Sequence, residues 1–206
     1  MSQIVILGAS GKLGSHLLTE ALDAGWLVHA LSRDPSRIRR ANERLTLYQG
    51  DAESGVGLEV AISGSRYVIF AVDSSHPADC VAHIIKAVGL KAIERLIFIS
   101  RRVPVTGSLS SAGKLASLLP KVRRNISAEL DRAAELLRLS GLPYCIFRAT
   151  ELTEEAPGHE LVITRDSEAP PGPLSRADFA RFIIHSLSDR AWNLKEVTVG
   201  TKGGPK

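Results

Sequence analysis

Residues 3–14 read QIVILGASGKLG, an unbroken apolar run that ends in a glycine-spaced turn. Five residues with no polar interruption fit a strand buried on both faces, as in a parallel sheet. Beyond the turn, Leu13, Leu17 and Ala21, flanked by Leu18 and Leu22, share one face of a helix over 12–24, closed by Gly25. In Gly8-Ala9-Ser10-Gly11-Lys12-Leu13-Gly14 each glycine has a physical task. Gly8 permits the tight turn out of the strand, Gly11 lets backbone approach a pyrophosphate, and Gly14 lets helix pack closely on strand. The helix N-terminus then offers free N–H groups and the positive end of its dipole. A glycine triplet alone also occurs in plain strand-to-helix turns. Its position between a strand and a helix makes dinucleotide binding the stronger reading.

The same alternation continues along the chain. Further strands are predicted over 27–31, 45–48, 67–72 and 95–99, with a helix over 77–88 ended by Gly89. Residues 107–119 are rich in serine and glycine and predict a loop with a short helix. Leu130, Ala133, Ala134 and Leu137 mark an amphipathic helix that Gly141 terminates. Strands follow at 144–147, 161–164 and 196–199. Ser175 and Asp178 form a capping box for a last helix over 176–187. Strands alternating with helices of this length imply right-handed βαβ units. The predicted fold is an α/β, Rossmann-type, doubly wound and mainly parallel sheet in a single domain over 1–200, with a small C-terminal substrate-side extension. Residues 201–206, TKGGPK, are expected to form a flexible tail.

The end of the second strand decides the type of nucleotide. An acid there accepts from the ribose hydroxyls of NAD, whereas an arginine suits the 2′-phosphate of NADP. The sequence is Leu31-Ser32-Arg33-Asp34, followed by Arg37, Arg39 and Arg40. Arg33 can make charge-assisted bonds to a phosphate, and Ser32 can add a hydroxyl. NADP(H) is therefore favoured over NAD(H), although Asp34, one residue past the expected acid, keeps the alternative open. Arg39 and Arg40 fit a solvated helix face.

With 206 residues, 44% hydrophobic and 23% charged, the chain can bury a sizeable core, and wholesale disorder is excluded. Its net charge of +4 is unevenly placed. Residues 33–44 hold five arginines against two acids, and residues 101–128 hold six basic residues and no acid. These two stretches carry +9, so the remainder carries −5, which residues 151–178 supply. Two separate anion sites fit this pattern better than a general nucleic-acid coat. The basic run 101–124 contains no aromatic residue for base stacking, which argues against nucleic acid. The two cysteines, Cys80 and Cys145, form no disulfide framework or zinc spacing and read as core. No apolar run approaches the roughly 18 residues of a membrane span, and no signal peptide is read. A cytoplasmic setting is the expectation.

Five segments together resemble a known family: GASGKLG at 8–14, LSRDPSRI at 31–38, YQGD at 48–51, LRLSGLPYCIFRATEL at 137–152 and GPLSRADFARFII at 172–184. They are similar to the NAD(P)H-binding, NmrA-like atypical short-chain dehydrogenases, a group that includes flavin and biliverdin-IXβ reductases. The resemblance implies a pyrophosphate held at Gly8, Ser10, Gly11, Leu13 and Gly14, within the turn that also carries Lys12. It further implies an adenosine phosphate at Arg33, adenine at Asp51 and Ala52, and the adenosine ribose beside Ala71 and Val72. Many relatives carry a Tyr-x-x-x-Lys pair on the helix before SGL. Its places fall here at Ser127 and Asp131, and neither can do that work: a serine hydroxyl is too weak an acid, and Asp131 would raise a neighbour's pKa. Relatives also commonly carry a Ser-Ser or Thr-Ser at the end of the fifth strand, where this chain has Ser100 and Arg101.

A flavin, quinone or similar conjugated acceptor can take hydride at a conjugated centre, with solvent supplying the proton. Stacking and charge complementarity then matter more than a dedicated acid. The chain is accordingly expected to be an NADPH-dependent reductase of such a small molecule, without a Tyr/Lys pair. A non-catalytic NADP(H)-binding redox sensor is the alternative. Ser100, Arg101 and His76 are the candidates at the reacting end. Arg101 and Arg102 are expected to face an anionic acceptor, against the alternative of a solvated basic loop. No metal site is expected, and the oligomeric state is left open.

Overall fold

The computed structural model describes residues 2–89, 91–101, 120–165 and 172–202. Its centre is an eight-stranded sheet built from β1 (Gln3–Leu7), β2 (Leu27–Ser32), β3 (Leu45–Gln49), β4 (Tyr67–Phe70), β5 (Arg95–Arg101), β6 (Tyr144–Ala149), β8 (Leu161–Thr164) and β10 (Lys195–Thr201). The strand order is β3-β2-β1-β4-β5-β6-β10-β8. Every pairing is parallel except β10 with β8, which is antiparallel. Two two-residue strands, β7 (Leu152–Thr153) and β9 (Leu174–Ser175), pair separately. This is the predicted Rossmann-type doubly wound sheet.

The period of two in a strand explains the apolar run in β1. Ile4 and Ile6 point into one core with Leu17, Phe179 and Ile183, whereas Val5 and Leu7 point into the other with Leu58, Val81 and Ile84. Both faces need cover, and among the described residues five helices provide it. Helices α1 (Lys12–Asp23) and α5 (Arg176–Ser186) lie over the first face. Helices α2 (Leu58–Ile62), α3 (Pro77–Val88) and α4 (Pro120–Leu139) lie over the second. Phe70 and Phe98 stack with ring centroids 5.4 Å apart on that second face. Of the predicted capping box the Ser175 cap is present, its hydroxyl accepting from the Asp178 N–H at 3.1 Å, and the Asp178 carboxylate accepts from that hydroxyl at 2.9 Å. Both cysteines are buried, and burial pushes the Cys145 thiol up to about 12.

Several expectations are corrected. The helix expected around Leu130 begins ten residues earlier, at Pro120, because its first turns lack the apolar spacing that marks the rest. Strand β4 stops at Phe70, leaving Ala71 and Val72 in the following loop. Arg39 and Arg40 are not on a helix: a single 3₁₀ turn at Pro35–Arg37 follows β2. Thr201, read as the start of a tail, is the last residue of β10; its N–H donates to Gly172 and its hydroxyl to the Pro173 carbonyl. The expected loop at 107–119 lies outside the described residues.

Candidate functional site

Parallel strands deliver all their C-terminal ends to one edge of the sheet, where a crevice opens at the reversal of strand order. Here the reversal falls between β1 and β4. That edge collects the turn 8–14, residues 32–34, 51–53 and 71–76, and the pair Ser100–Arg101.

The turn after β1 is shaped by backbone contact. Gly8 has φ +88°, and a Cβ there would stand 2.8 Å from the Ala71 carbonyl oxygen. Its N–H continues the ladder to the Leu31 carbonyl at 3.0 Å. A Cβ on Gly14 would fall 2.1 Å from the Gly8 oxygen and 2.8 Å from Ala9 Cα. Gly14 therefore lets α1 start directly beneath the turn. Gly11 is the N-cap, no side chain caps α1, and its first turn holds no acid. The exposed end of α1 presents N–H groups and a partial positive charge, joined by Lys12. Gly8, Gly11 and Gly14 thus form a turn with no side chain of their own, suited to a pyrophosphate, and a Cβ at Gly8 or Gly14 would strike the backbone that shapes it. Leu13 packs against the core on the α1/α5 face.

The segment after β2 is organised around two hydroxyls. Ser10 Oγ and Ser32 Oγ are 2.6 Å apart, and Ser32 Oγ accepts from the Asp34 N–H at 3.1 Å. The Asp34 carboxylate is turned into the 3₁₀ turn, where Oδ1 accepts from the N–H of Ser36 at 3.1 Å and from its hydroxyl at 2.5 Å. Among the described residues Arg33 is exposed and makes no ion pair. Other arginines of the cluster serve the fold. Arg40 bonds Thr19 Oγ1 and Asp23 Oδ1, each at 2.9 Å, and Arg44 Nη2 donates to the Leu22 carbonyl at 3.0 Å. Both tie down the C-terminal end of α1, favourable places for cations.

Beyond β3, Asp51 bridges to Val56 and its Oδ1 accepts from the Glu53 N–H at 3.0 Å, with Ala52 buried beneath. Glu53, which the sequence did not suggest, reaches across to the β4–α3 loop. His76 Nδ1 lies 2.8 Å from Glu53 Oε1, and the Ser74 hydroxyl donates to Oε2 at 3.0 Å. These bonds, His76 first, hold the Glu53 carboxyl below the ordinary carboxylate range. His76 is therefore placed with the loop that follows β3, and no hydrogen bond or ion pair among the described residues joins it to Ser100 or Arg101. Ser100 is buried at the end of β5. Arg101 is exposed and lies 3.8 Å from Asp73, so it faces a carboxylate of its own chain. Ser127 and Asp131 both lie on α4, Asp131 exposed. Arg102 and Lys114 lie outside the described residues, as do the side chains of Lys121, Arg123 and Arg124.

The acidic segment after β6 folds back on the same side. Glu154 Oε1 accepts from Arg176 Nη1 at 2.8 Å, and its other oxygen is 3.7 Å from His16 on α1. Asp178, 7% exposed, receives the Gly158 N–H at 2.9 Å and the Ser175 hydroxyl at 2.9 Å. Part of the −5 in that region therefore ties a strap to the N-terminal turns of α1 and α5. A cavity of about 730 Å³ lies elsewhere, between Gly55, Glu59, His83, Lys86 and Lys91. It adjoins the C-terminal end of α3, where Lys91 Nζ donates to the Ala87 carbonyl at 2.6 Å. It lies at a helix C-terminus, whose dipole disfavours an anion, whereas the glycine turn lies at a helix N-terminus. No group of three or more His, Cys, Asp or Glu among the described residues is placed to hold a metal, and no described helix is long and apolar enough to cross a membrane.

A family model described as NAD(P)H-binding matches residues 8–190. The chain is 29% identical over 198 residues to the photosystem II assembly factor Ycf39 of Cyanophora paradoxa, a match covering 89% of this chain and 59% of that protein. It thus spans about three fifths of the length of that relative. A solved Rossmann-fold NAD(P)-binding protein from Shigella flexneri superposes with a TM-score of 0.82 at 20% identity, covering 100% of this chain and 96% of that one. A short-chain dehydrogenase/reductase from Veillonella parvula in complex with NADP gives 0.79 at 23% identity, covering 100% and 99%. ChuY, an anaerobilin reductase from Escherichia coli O157:H7, gives 0.79 at 20% identity with full coverage of both chains.

Proposed function

The chain belongs to the NAD(P)H-binding family, and from that premise we propose that it is an NADPH-dependent reductase of a flavin, quinone or related conjugated acceptor. The observation that carries the NADPH half is the exposed Arg33, which makes no ion pair among the described residues, beside an Asp34 whose carboxylate is spent on its own 3₁₀ turn. An acid that caps a turn is poorly placed to receive ribose hydroxyls, whereas an open guanidinium suits a 2′-phosphate. In this reading Gly8, Ser10, Gly11, Lys12, Leu13 and Gly14 take the pyrophosphate, Ser32 and Arg33 the 2′-phosphate, Asp51 and Ala52 the adenine, and Ala71 and Val72 the ribose. A reduced nicotinamide bound there supplies hydride. The protein's part is to orient the two reactants and exclude water.

The acceptor half rests on α4. With Ser127 and Asp131 where a Tyr and a Lys would be needed, the chain offers no acid of the right strength for a plain carbonyl. A conjugated acceptor does not require one. Arg101 is held by Asp73 only at 3.8 Å and between exposed side chains, a weak pairing. An anionic acceptor can therefore recruit it. Turnover of NADPH with a panel of flavins and quinones, followed at the nicotinamide absorbance, tests the proposal. Oxidation of NADPH by at least one acceptor is expected; tight NADPH binding without turnover by any would overturn it. That second outcome favours a non-catalytic NADP(H) sensor, a reading supported by the missing Tyr/Lys pair and by a relative that is an assembly factor.

A further inference from the structure

Two opposite charges approach the adenosine end from neighbouring loops and do not pair. Arg33 follows β2 and Glu53 follows β3, on loops that adjoin: Ser32 is in register with Gln49, the Gly50 N–H donates to the Ser32 carbonyl at 3.0 Å, and Gln49 Nε2 donates to the Arg33 carbonyl at 3.5 Å. Yet both Glu53 oxygens are engaged elsewhere, Oε1 with His76 Nδ1 at 2.8 Å and Oε2 with the Ser74 hydroxyl at 3.0 Å. Ser74 Oγ also accepts the His76 N–H at 2.9 Å, and Ser75 Oγ sits 3.0 Å from His76 Nδ1. The loop entering α3 thus closes a ring of bonds around one carboxylate. The other charged groups on these loops have their own neighbours: Asp51 holds the Glu53 N–H, and Asp73 faces Arg101. Asp79 lies in the first turn of α3.

We propose that Ser74 and His76 are positioning residues that hold the Glu53 carboxylate off Arg33, keeping that guanidinium open to an adenosine 2′-phosphate. A released Glu53 would be free to turn toward Arg33, an exposed cation on the adjoining loop that makes no ion pair among the described residues. A phosphate would then have to displace a carboxylate before it could bind. NADH carries no 2′-phosphate and would not feel the difference. His76 makes no side-chain capping bond to α3, so its removal takes nothing from the helix end.

This inference rests on the assignment of Arg33 to the 2′-phosphate, and the test separates the two. Dissociation constants for NADPH and NADH are measured by titration calorimetry on the wild type and on S74A/H76A, E53Q, S74A/H76A/E53Q and R33A. S74A/H76A is expected to weaken NADPH about two- to fivefold and leave NADH unchanged, the size of an exposed ion pair. Adding E53Q should restore NADPH binding, which no loss of loop structure would do. Equal weakening of both nucleotides, or no rescue by E53Q, overturns the brace. If R33A discriminates the two nucleotides no less than the wild type, the Arg33 assignment itself fails, and the brace with it.

Discussion

The two ends of the parallel strands use charge in opposite ways. At their N-terminal ends the charges are tied to partners on their own chain. Arg66 pairs with Glu94, which also accepts from the Tyr67 hydroxyl at 2.7 Å. Arg95, 2% exposed, sends three bonds to the Ser186 carbonyl, the Asp189 carbonyl and Asn193 Oδ1 at 2.7–3.0 Å. Glu196 takes both arms of Arg138 at 2.7 Å. At the C-terminal ends Lys12 and Arg33 make no ion pair among the described residues, and Arg101 is held only loosely. A charge left without an internal partner at a crevice is available to a ligand. The first end holds the fold together, and the second is the one we propose for binding.

Breaking the first end should cost stability and spare the second. Arg95→Leu removes three bonds from a buried charged group and takes the Arg95 donor from Asn193 Oδ1, while the Ser186 and Asp189 carbonyls keep the N–H groups of Asp189 and Trp192; the expected loss is roughly 3 kcal/mol, a drop of about 6–12 °C in Tm. Thermal unfolding measures this, and the NADPH affinity of the folded fraction should not change. At the second end the largest effect is expected from Gly14→Ala. Its new Cβ meets backbone that cannot yield, so NADPH affinity should fall at least about tenfold, with a stability loss of about 1–3 kcal/mol. Arg33→Ala should weaken NADPH about tenfold or more, the value of hydrogen bonds to a charged group, and leave NADH within about twofold. Its unfolding temperature should stay at the wild-type value.

The smallest effect sharpens the contrast through pH. Burial works to raise the Glu196 carboxyl, but Arg138 and then Arg148 outweigh it and leave it lowered. A carboxyl depressed in the folded state contributes stability that is present above its unfolded value and lost as pH falls through the folded one. Glu196→Gln should therefore cost about 1 kcal/mol at neutral pH, little because Arg138 is partly exposed. It should also flatten the fall in Tm on acidification below about pH 5. An unchanged acid limb would remove Glu196 from the account.

The same contrast explains what could be read from the sequence. The glycine turn, the strands and the last capping box were legible because each is a local pattern of a few residues. Helix α2 has five residues, too few to show a helical period, and β7 and β9 have two each. The antiparallel course of β8 was not legible, since alternation carries no direction. Arg95 reads as a charge opening an apolar strand. That it is buried depends on carbonyls more than ninety residues away. The duties of Arg40 and Arg44 and the Glu53–Ser74–His76 ring likewise join loops that are distant in sequence. In the glycine turn the residues that face one another are neighbours in the chain, which is why it could be read.

The most direct measurement is a titration of the wild-type protein with NADPH and, separately, with NADH. An Arg33 left open to a 2′-phosphate predicts binding of NADPH at least about tenfold tighter than NADH. Equal affinities, or tighter NADH, would contradict it.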